Sequence, residues 1–378
     1  MNEENVSSLI IDASNIISGG GLTHLKEFIK HANPKEYGFD NVVLWSSTKT
    51  LDRIENKEWL KKLSHPFLNK SYIHRFIWKY FVLKPALTED DVLFIPGTGY
   101  LNTKATVVTM CRNLLPIDKS EMNRFYPSLK WLRYWLLRNQ HFNAYKNADG
   151  VIFLNNYCID ALPNKISSRI QSSEVIPHGL NKSFKESRKT DYSSDGEYHF
   201  IYLSRVNLYK HQWVVAKAVY ELKDEGYPVR LTLAGGKDGP GSEKLKDVIN
   251  LYEDNHTNTV LIKDLIPYEE LPEFYREADI FIFASSCETF GNILLEAMGV
   301  GLPIACSEVS SMQELLCDAG VYFDPEDVNS VKDALKKLLK DEYLRKELGN
   351  KAAELSNSYS WEKSSNQTLQ FIAEVNNQ

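Results

Sequence analysis

Short apolar runs alternate with helical patterns along the whole chain. Twelve of these runs read as strands: Leu9–Ile11, Val42–Trp45, Val92–Ile95, Val107–Met110, Val151–Leu154 and Val175–Ile176, then Phe200–Leu203, Val229–Leu233, Val260–Ile262, Ile280–Phe283, Ile304–Cys306 and Val321–Phe323. Runs without polar alternation, each followed by a helical pattern, are typical of parallel strands buried on both faces. The pattern predicts an α/β protein built from two doubly wound parallel-sheet domains in tandem.

A polar stretch separates the two series of strands. Asn181–Gly196 is rich in Ser, Lys, Asp and Gly, with Phe184 and Tyr192 as its bulky apolar residues. We predict the linker there. The predicted domains are 1–185 and 186–357, and residues 358–378 form a C-terminal helix that is expected to pack back on the first domain.

Composition indicates a globular protein without a membrane span. Hydrophobic residues make up 43% and charged residues 25% of the 378 positions, and no tract of apolar residues is long enough to cross a bilayer. The five cysteines are odd in number and scattered, so neither a disulfide framework nor a zinc site is indicated. The acidic, polar start differs from a secretory signal, and a cytoplasmic location is the expectation.

The two halves of the chain carry opposite charge. Residues 1–190 hold 26 Lys and Arg against 18 Asp and Glu, a net charge of +8, and the remainder carries −14. Two aromatic-rich stretches lie in the basic half, Trp59–Thr88 and Met122–Ala148. Both contain Lys and Arg but no acidic residue. This composition suits a surface lying on an anionic membrane, at the inner face of the cell membrane. The alternative is that the aromatic residues fill a core.

Glu288 and Glu296 lie where the strand Ile280–Phe283 passes into a helix, and ligands of open α/β sheets bind at such strand ends. If both carboxylates lie on that helix, they are roughly 12 Å apart along its axis. Paired catalytic carboxylates of glycoside hydrolases are about 5 to 9.5 Å apart, so this role fits poorly. Anchors for the two ends of a long polar ligand fit better.

Two other features indicate anion binding. Glycines 19–21 open a helix after the first strand, and their amides and the helix N-terminus suit a phosphate, although a tight turn is the alternative. Arg205 and Lys210 follow the first strand of the second domain and suit a pyrophosphate, the alternative being surface charge. The chain has no Asp-x-Asp, His-Glu-x-x-His or Gly-x-Ser-x-Gly motif.

Taken together, these motifs resemble those of retaining glycosyltransferases of the GT-B fold, family 4, of the bacterial polysaccharide or O-antigen type. The resemblance covers nearly the whole chain and is strongest over 200–361, where Ser204-Arg205, Lys210 and the double-glutamate run occur in the family's order. It implies two Rossmann-like domains facing a cleft, a nucleotide-sugar donor, and transfer without a metal or cofactor.

The resemblance also implies site residues. Glu288 would bind hydroxyls of the donor sugar beside the amides of Phe290, Gly291 and Asn292, and Glu296 would bind the ribose. Arg205, Lys210 and the amides of Gly20 and Gly21 would bind the pyrophosphate, and the main chain from Ile262 to Leu265 would face the base. The chain departs from the family in one place: where members commonly carry a histidine it has Cys111-Arg112-Asn113, so Arg112 and Asn113 are predicted at the sugar or acceptor.

The leading hypothesis is sugar transfer to a glycan or lipid-linked glycan in cell-surface polysaccharide synthesis. A nucleotide-sugar 2-epimerase and a non-catalytic nucleotide-sugar-binding subunit remain as alternatives. The expected partners are the donor, the acceptor and an anionic membrane surface, and nucleic acid is not among them.

Overall fold

The computed structural model describes residues 8–192, 196–252 and 256–378. The chain divides into two compact units. The first unit runs to Gly179 and also takes in Tyr359–Gln378, and the second is Leu180–Ser358.

The first unit is built on a seven-stranded sheet in which every pair is parallel, in the order β3-β2-β1-β4-β5-β6-β7. Its strands are β1 (Ser8–Asp12), β2 (Asn41–Trp45), β3 (Leu60–Leu63), β4 (Asp91–Ile95), β5 (Thr106–Met110), β6 (Gly150–Phe153) and β7 (Ser172–Val175). The central strands are almost wholly buried because helices cover both faces of the sheet.

The helices of this unit are α1 (Gly20–His31), α2 (Thr48–Leu51), α3 (Tyr72–Trp78), α4 (Lys84–Ala86), α5 (Lys119–Asn123), α6 (Leu129–Asn147), α7 (Asn156–Asp160) and α8 (Asn164–Ser167). A π-helical stretch, Lys79–Leu83, joins α3 to α4 without a break. Ser128 begins α6 by accepting a hydrogen bond from the Trp131 amide.

The second unit has a six-stranded parallel sheet in the order β10-β9-β8-β11-β12-β13. Its strands are β8 (Tyr198–Leu203), β9 (Val229–Ala234), β10 (Val260–Lys263), β11 (Ile280–Phe283), β12 (Ile304–Ser307) and β13 (Val321–Phe323). Its helices are α9 (Lys182–Glu186), α10 (Gln212–Asp224), α11 (Ser242–Tyr252), α12 (Leu271–Arg276), α13 (Asn292–Val300), α14 (Met312–Leu316), α15 (Val328–Lys340) and α16 (Glu342–Ser356).

The C-terminal helix α17 (Trp361–Asn376) packs in the first unit against α1 and the strands β4 to β6. A Cβ on Gly179 would lie 2.0 Å from the Trp361 backbone nitrogen, so only glycine permits this approach of the two backbones. The Trp361 ring lies beside that of His178 in a tilted arrangement, with ring centroids 5.3 Å apart. The start of α17 is thereby fixed to the end of the first unit's main segment.

The predicted α/β fold with two parallel sheets is confirmed, and the differences are local. The sequence pattern missed β3, which is the edge strand of its sheet and exposes Lys61 in place of an apolar run. The stretch predicted as a linker holds α9, where Phe184 is fully buried, and the Tyr192 hydroxyl donates to Gly301 O at 2.9 Å. Residues 193–195 of that stretch lie outside the described residues.

Each sheet has one point where the strand order reverses direction. In the first sheet this switch lies between β1 and β4, and in the second between β8 and β11. Loops that leave neighbouring strands there diverge to opposite faces of the sheet, which opens a crevice at the carboxyl ends of the strands. Both switch points therefore define where ligands are expected.

Candidate active site

The loops after β8 and β11 bring Lys210 and Glu288 together. The Lys210 ammonium forms an ion pair with Glu288 Oε1, and the Ser285 hydroxyl donates to the same oxygen at 2.8 Å. Both charged side chains are mostly buried. A charge-assisted bond of this kind at a strand switch point gives the second unit a preorganised polar site.

The backbone around Lys210 is fixed by its neighbours. Asn207 accepts a hydrogen bond from the Leu208 amide at 2.8 Å and starts the short turn that carries the lysine. The Tyr202 hydroxyl donates to Lys210 O at 2.6 Å, and the ammonium lies 5.1 Å from the centre of the Phe283 ring. A cation held against aromatic rings loses little freedom when an anion binds.

Glu288 lies in the loop and not on the helix, which corrects the expectation from sequence. Helix α13 begins at Asn292, after Gly291 in the left-handed region with φ 87°. Two serines hold the main chain of Glu288: Ser310 Oγ accepts from its amide at 2.9 Å, and Ser311 Oγ donates to its carbonyl at 3.0 Å. The two glutamates therefore do not lie on one helix, so the prediction that they are about 12 Å apart along its axis was wrong.

Glu296 is on α13 and is buried. The Tyr275 hydroxyl lies 3.1 Å from both Glu296 Oε2 and Ile293 O and shares its one proton between them. Burial raises the pKa of the Glu296 carboxyl to about 8, although the hydrogen bond from Tyr275 acts in the opposite direction. At neutral pH the carboxyl is therefore mainly protonated, with a proton to donate and an oxygen to accept.

This raised pKa predicts a pH-dependent loss of stability. The pKa of a glutamate in an unfolded chain is about 4.3. The pKa of Glu296 in the folded protein is about 8, so its carboxyl keeps the proton across this range. The folded state binds more protons across this window, so the free energy of unfolding falls as pH rises through it. Glu296→Gln keeps the acceptor for Tyr275 without the titration, and its unfolding free energy should lose less between pH 5 and pH 8.5 than that of the wild type.

Urea unfolding of both proteins at several pH values measures this difference. The exposed Glu347→Gln, in the middle of α16, is the matched control and should follow the wild type. Parallel curves for wild type and Glu296→Gln would show that this carboxyl does not titrate abnormally.

The other residues predicted for the donor lie around the same strand ends. Arg205 is exposed after β8, Phe290 and Gly291 are buried beneath the loop, and Asn292 is the first residue of α13. Ile262, on β10, lines a cavity of about 410 Å³ together with Lys237, Asp238, Ser242, Leu245, Lys246 and Ile249, and Leu265 is exposed beyond the strand.

In the first unit the structure brings Arg112 to the glycine loop. Helix α1 begins at Gly20, and Arg112 Nη1 donates to Gly21 O at 3.4 Å. Burial lowers the pKa of the Arg112 guanidinium to about 10, so it remains charged at neutral pH. Burial, Arg112 and His178 together lower the pKa of His24 well below its usual value, which keeps that ring neutral. Asn113 Oδ1 accepts from the Leu115 amide at 3.3 Å and thus serves the local turn.

Sequence reasoning missed the residues that support the two glutamates. Ser310 and Ser311 reach Glu288 from more than twenty residues away along the chain, and Tyr275 reaches Glu296 from another helix. Their spacing forms no motif, so no signal in the sequence points to them. Among the described residues, no group of three or more His, Cys, Asp or Glu side chains is arranged to hold a metal ion.

Residues 183–355 match the family model described as glycosyl transferases group 1. O-antigen chain mannosyltransferase B of Escherichia coli is 36% identical over 104 residues, which are 28% of this chain and 27% of that protein. An uncharacterized glycosyltransferase of Methanocaldococcus jannaschii is 22% identical over 91% of this chain and 92% of that protein. A D-inositol 3-phosphate glycosyltransferase of Corynebacterium urealyticum is 30% identical over 38% of this chain, and the match spans only 35% of that relative.

Solved structures share the fold at low sequence identity. Sucrose-phosphate synthase from Thermosynechococcus elongatus matches with a TM-score of 0.75 at 18% identity, over 96% of this chain and 97% of that one. An α,α-trehalose-phosphate synthase (UDP-forming) from Burkholderia xenovorans matches with a TM-score of 0.69 at 11% identity, over 97% and 99% of the two chains. The two parallel sheets and these solved structures support the GT-B fold, and residues 183–355 of the second unit are similar to glycosyl transferases group 1. They lend no support to the epimerase or the binding-subunit alternative.

Proposed function

We propose that this protein is a retaining, family-4 glycosyltransferase that moves a hexose from a UDP- or GDP-sugar to a glycan or lipid-linked glycan in cell-surface polysaccharide synthesis. The observation that carries the proposal is the buried pair of Lys210 and Glu288 at the β8/β11 switch point, with protonated Glu296 on the following helix. A cation paired with a carboxylate at a strand switch point, with a second carboxyl group on the following helix, suits a ligand that has both phosphates and hydroxyls.

In the proposed reaction an acceptor hydroxyl attacks the anomeric carbon while the bond from that carbon to the donor phosphate breaks. The hydroxyl proton passes to an oxygen of the departing phosphate, so no protein general base is assigned. Arg205 and Lys210 stabilise the negative charge that develops on the nucleoside diphosphate, and this supply of positive charge makes a metal ion or other cofactor unnecessary.

The donor is held at three points in this proposal. Glu288 accepts from hydroxyls of the sugar beside the amides of Phe290, Gly291 and Asn292. Glu296 exchanges hydrogen bonds with the ribose. The base lies toward the cavity beside Ile262 and meets main-chain groups as far as Leu265, which the 410 Å³ volume accommodates.

Nucleotide binding tests this proposal directly. A donor at 100 times its dissociation constant stabilises the folded protein by about 2.7 kcal/mol. We expect a rise in melting temperature with either UDP- or GDP-sugars and none with the unrelated nucleotide AMP. Arg112→Ala should keep that rise but lose turnover, since Arg112 is proposed at the sugar or acceptor with Asn113. The absence of a shift with every nucleotide sugar, including dTDP-sugars, would reject donor binding.

The membrane part of the proposal rests on exposed apolar side chains in the two stretches without acids. Phe81 is 76% exposed, Leu129 is 87% exposed, and other large apolar residues of these stretches are exposed as well: Tyr72, Ile73, Phe76, Ile77, Tyr80, Tyr126, Leu132, Trp135 and Leu136. Core packing thus accounts for only part of these residues. No helix within the described ranges is both long and apolar enough to cross a bilayer.

We propose that these side chains rest on the anionic cytoplasmic face of the cell membrane, where a lipid-linked acceptor is found. The double variant Phe81→Ser/Leu129→Ser should lower binding to phosphatidylglycerol vesicles by about tenfold or more, because each buried side chain contributes about 1.5–3 kcal/mol. Vesicle co-sedimentation measures this. Leu251→Ser/Tyr343→Ser, which alters equally exposed residues of the second unit, is the matched control. Equal binding of all three proteins would remove the membrane from the proposal.

A further inference from the structure

A cavity of about 160 Å³ lies in the first unit at the β1/β4 switch point. Ser14 and Asn15 line it from the loop after β1, and Thr98, Gly99 and Tyr100 line it from the loop after β4. A single water needs about 10–15 Å³ of such space. The cavity therefore has room for a polar group the size of several waters.

Two cations reach this cavity from the helical segment that starts with α3. Arg75 and Lys79 both line it, and among the described residues Arg75 Nε is buried without a hydrogen-bond partner. Lys79 Nζ pairs with Asp12 Oδ2 at 2.9 Å. Burial by itself raises the pKa of Asp12, but Lys79 and hydrogen bonds from Ser14 lower it below its usual value, so this carboxylate stays ionised. Because Lys79 is already paired with Asp12, the charge of Arg75 gives the cavity an excess positive charge.

The remaining lining side chains are of two kinds. Asn15, Gln140 and Asn143 offer amide groups suited to hydroxyls, whereas Tyr72, Phe76 and Tyr80 form a rim that is largely exposed. The rim belongs to the same acid-free stretch that presents Phe81 to solvent. One end of a ligand here meets cations and amides, and the other end meets aromatic rings.

We propose that this cavity binds a phosphate group of the acceptor, with Arg75 as its principal ligand and the amides of Asn15 and Asn143 on the adjoining sugar hydroxyls. The guanidinium of Arg75 lines the cavity, and a guanidinium matches the oxygens of a phosphate, which takes two parallel N–H bonds from arginine. This inference rests on the proposed function, because it identifies the substrate on the acceptor side as a phosphate ester.

The experiment compares glucose 1-phosphate with glucose as soluble probes, by calorimetric titration of the full chain with the donor nucleotide saturating. Arg75→Ala should weaken glucose 1-phosphate binding about 10- to 100-fold, the usual effect of losing hydrogen bonds to a charged group. Arg133→Ala, which removes an exposed arginine from α6, is the matched control and should bind as the wild type does. Arg75→Lys should recover little, since lysine lacks the planar pair of donors.

A second arm presents the phosphate in a lipid, as vesicles of phosphatidic acid in phosphatidylcholine, with the same variants. Sensitivity to Arg75→Ala in the soluble arm identifies a sugar phosphate, and sensitivity in the vesicle arm alone identifies a lipid phosphate; either supports the cavity as the site. Equal losses in Arg75→Ala and Arg133→Ala, or no preference for phosphate over glucose and over plain phosphatidylcholine, would overturn it. Nucleotide-induced melting shifts in Arg75→Ala report on donor binding separately, so failure of this inference is distinguishable from failure of the proposed function.

Discussion

Lys210→Met is expected to lower the rate of sugar transfer by about 10²–10³-fold, the effect of removing one preorganised group that stabilises developing charge. The substitution takes away the ammonium that is proposed to face the departing diphosphate. It also leaves the Glu288 carboxylate mostly buried with a hydrogen bond from Ser285 but without its cation, and an uncompensated buried charge lowers stability. Turnover of a UDP- or GDP-sugar and the free energy of unfolding must both be measured.

The double variant Lys210→Met/Glu288→Gln separates the two effects. It removes the unpaired charge, so stability should recover toward the wild type while turnover stays low. Lys217→Met, on the outer surface of α10, removes an equivalent charge elsewhere and should leave the rate unchanged. Full activity in a folded Lys210→Met protein would exclude the proposed role of this lysine.

Gly239→Ala is expected to destabilise the second unit by about 3 kcal/mol or more, the upper range for overpacking. The added Cβ would lie 1.8 Å from Val206 O, a backbone atom that cannot move aside as a side chain can. The loop that precedes α11 would have to shift away from the loop that carries Arg205. Thermal or urea unfolding measures the loss, and donor affinity should fall with it.

Gly196→Ala is the control, because a Cβ there meets no atom within 4 Å and its backbone does not need the left-handed region. It should unfold within about 0.5 kcal/mol of the wild type. An equally stable Gly239→Ala protein would mean that the two loops are not held in contact. In the glycine-rich run 235–241, Gly235 and Gly239 allow close packing against the backbone of the loop after β8.

The strands that are clearest in the sequence are those whose side chains are buried on both faces. A buried strand must be apolar at successive positions, so β4, β5 and β11 are visible from composition alone. The edge strand β3 carries lysines because one side faces solvent, and its residues do not differ from those of a loop. A local sequence pattern therefore identifies a strand most clearly where burial requires an apolar side chain at every position.

The sequence by itself determined the two parallel α/β sheets and the motif residues from Arg205 to Glu296. Only the tertiary structure decided that Lys210 pairs with Glu288 and that Glu288 precedes its helix. It also decided that Arg75 reaches the cavity after β1, and that burial holds Glu296 protonated beside the Tyr275 hydroxyl. The physical reason is that a periodic pattern records burial within one element, whereas charge pairing and desolvation depend on residues that meet only when distant strands and loops come together.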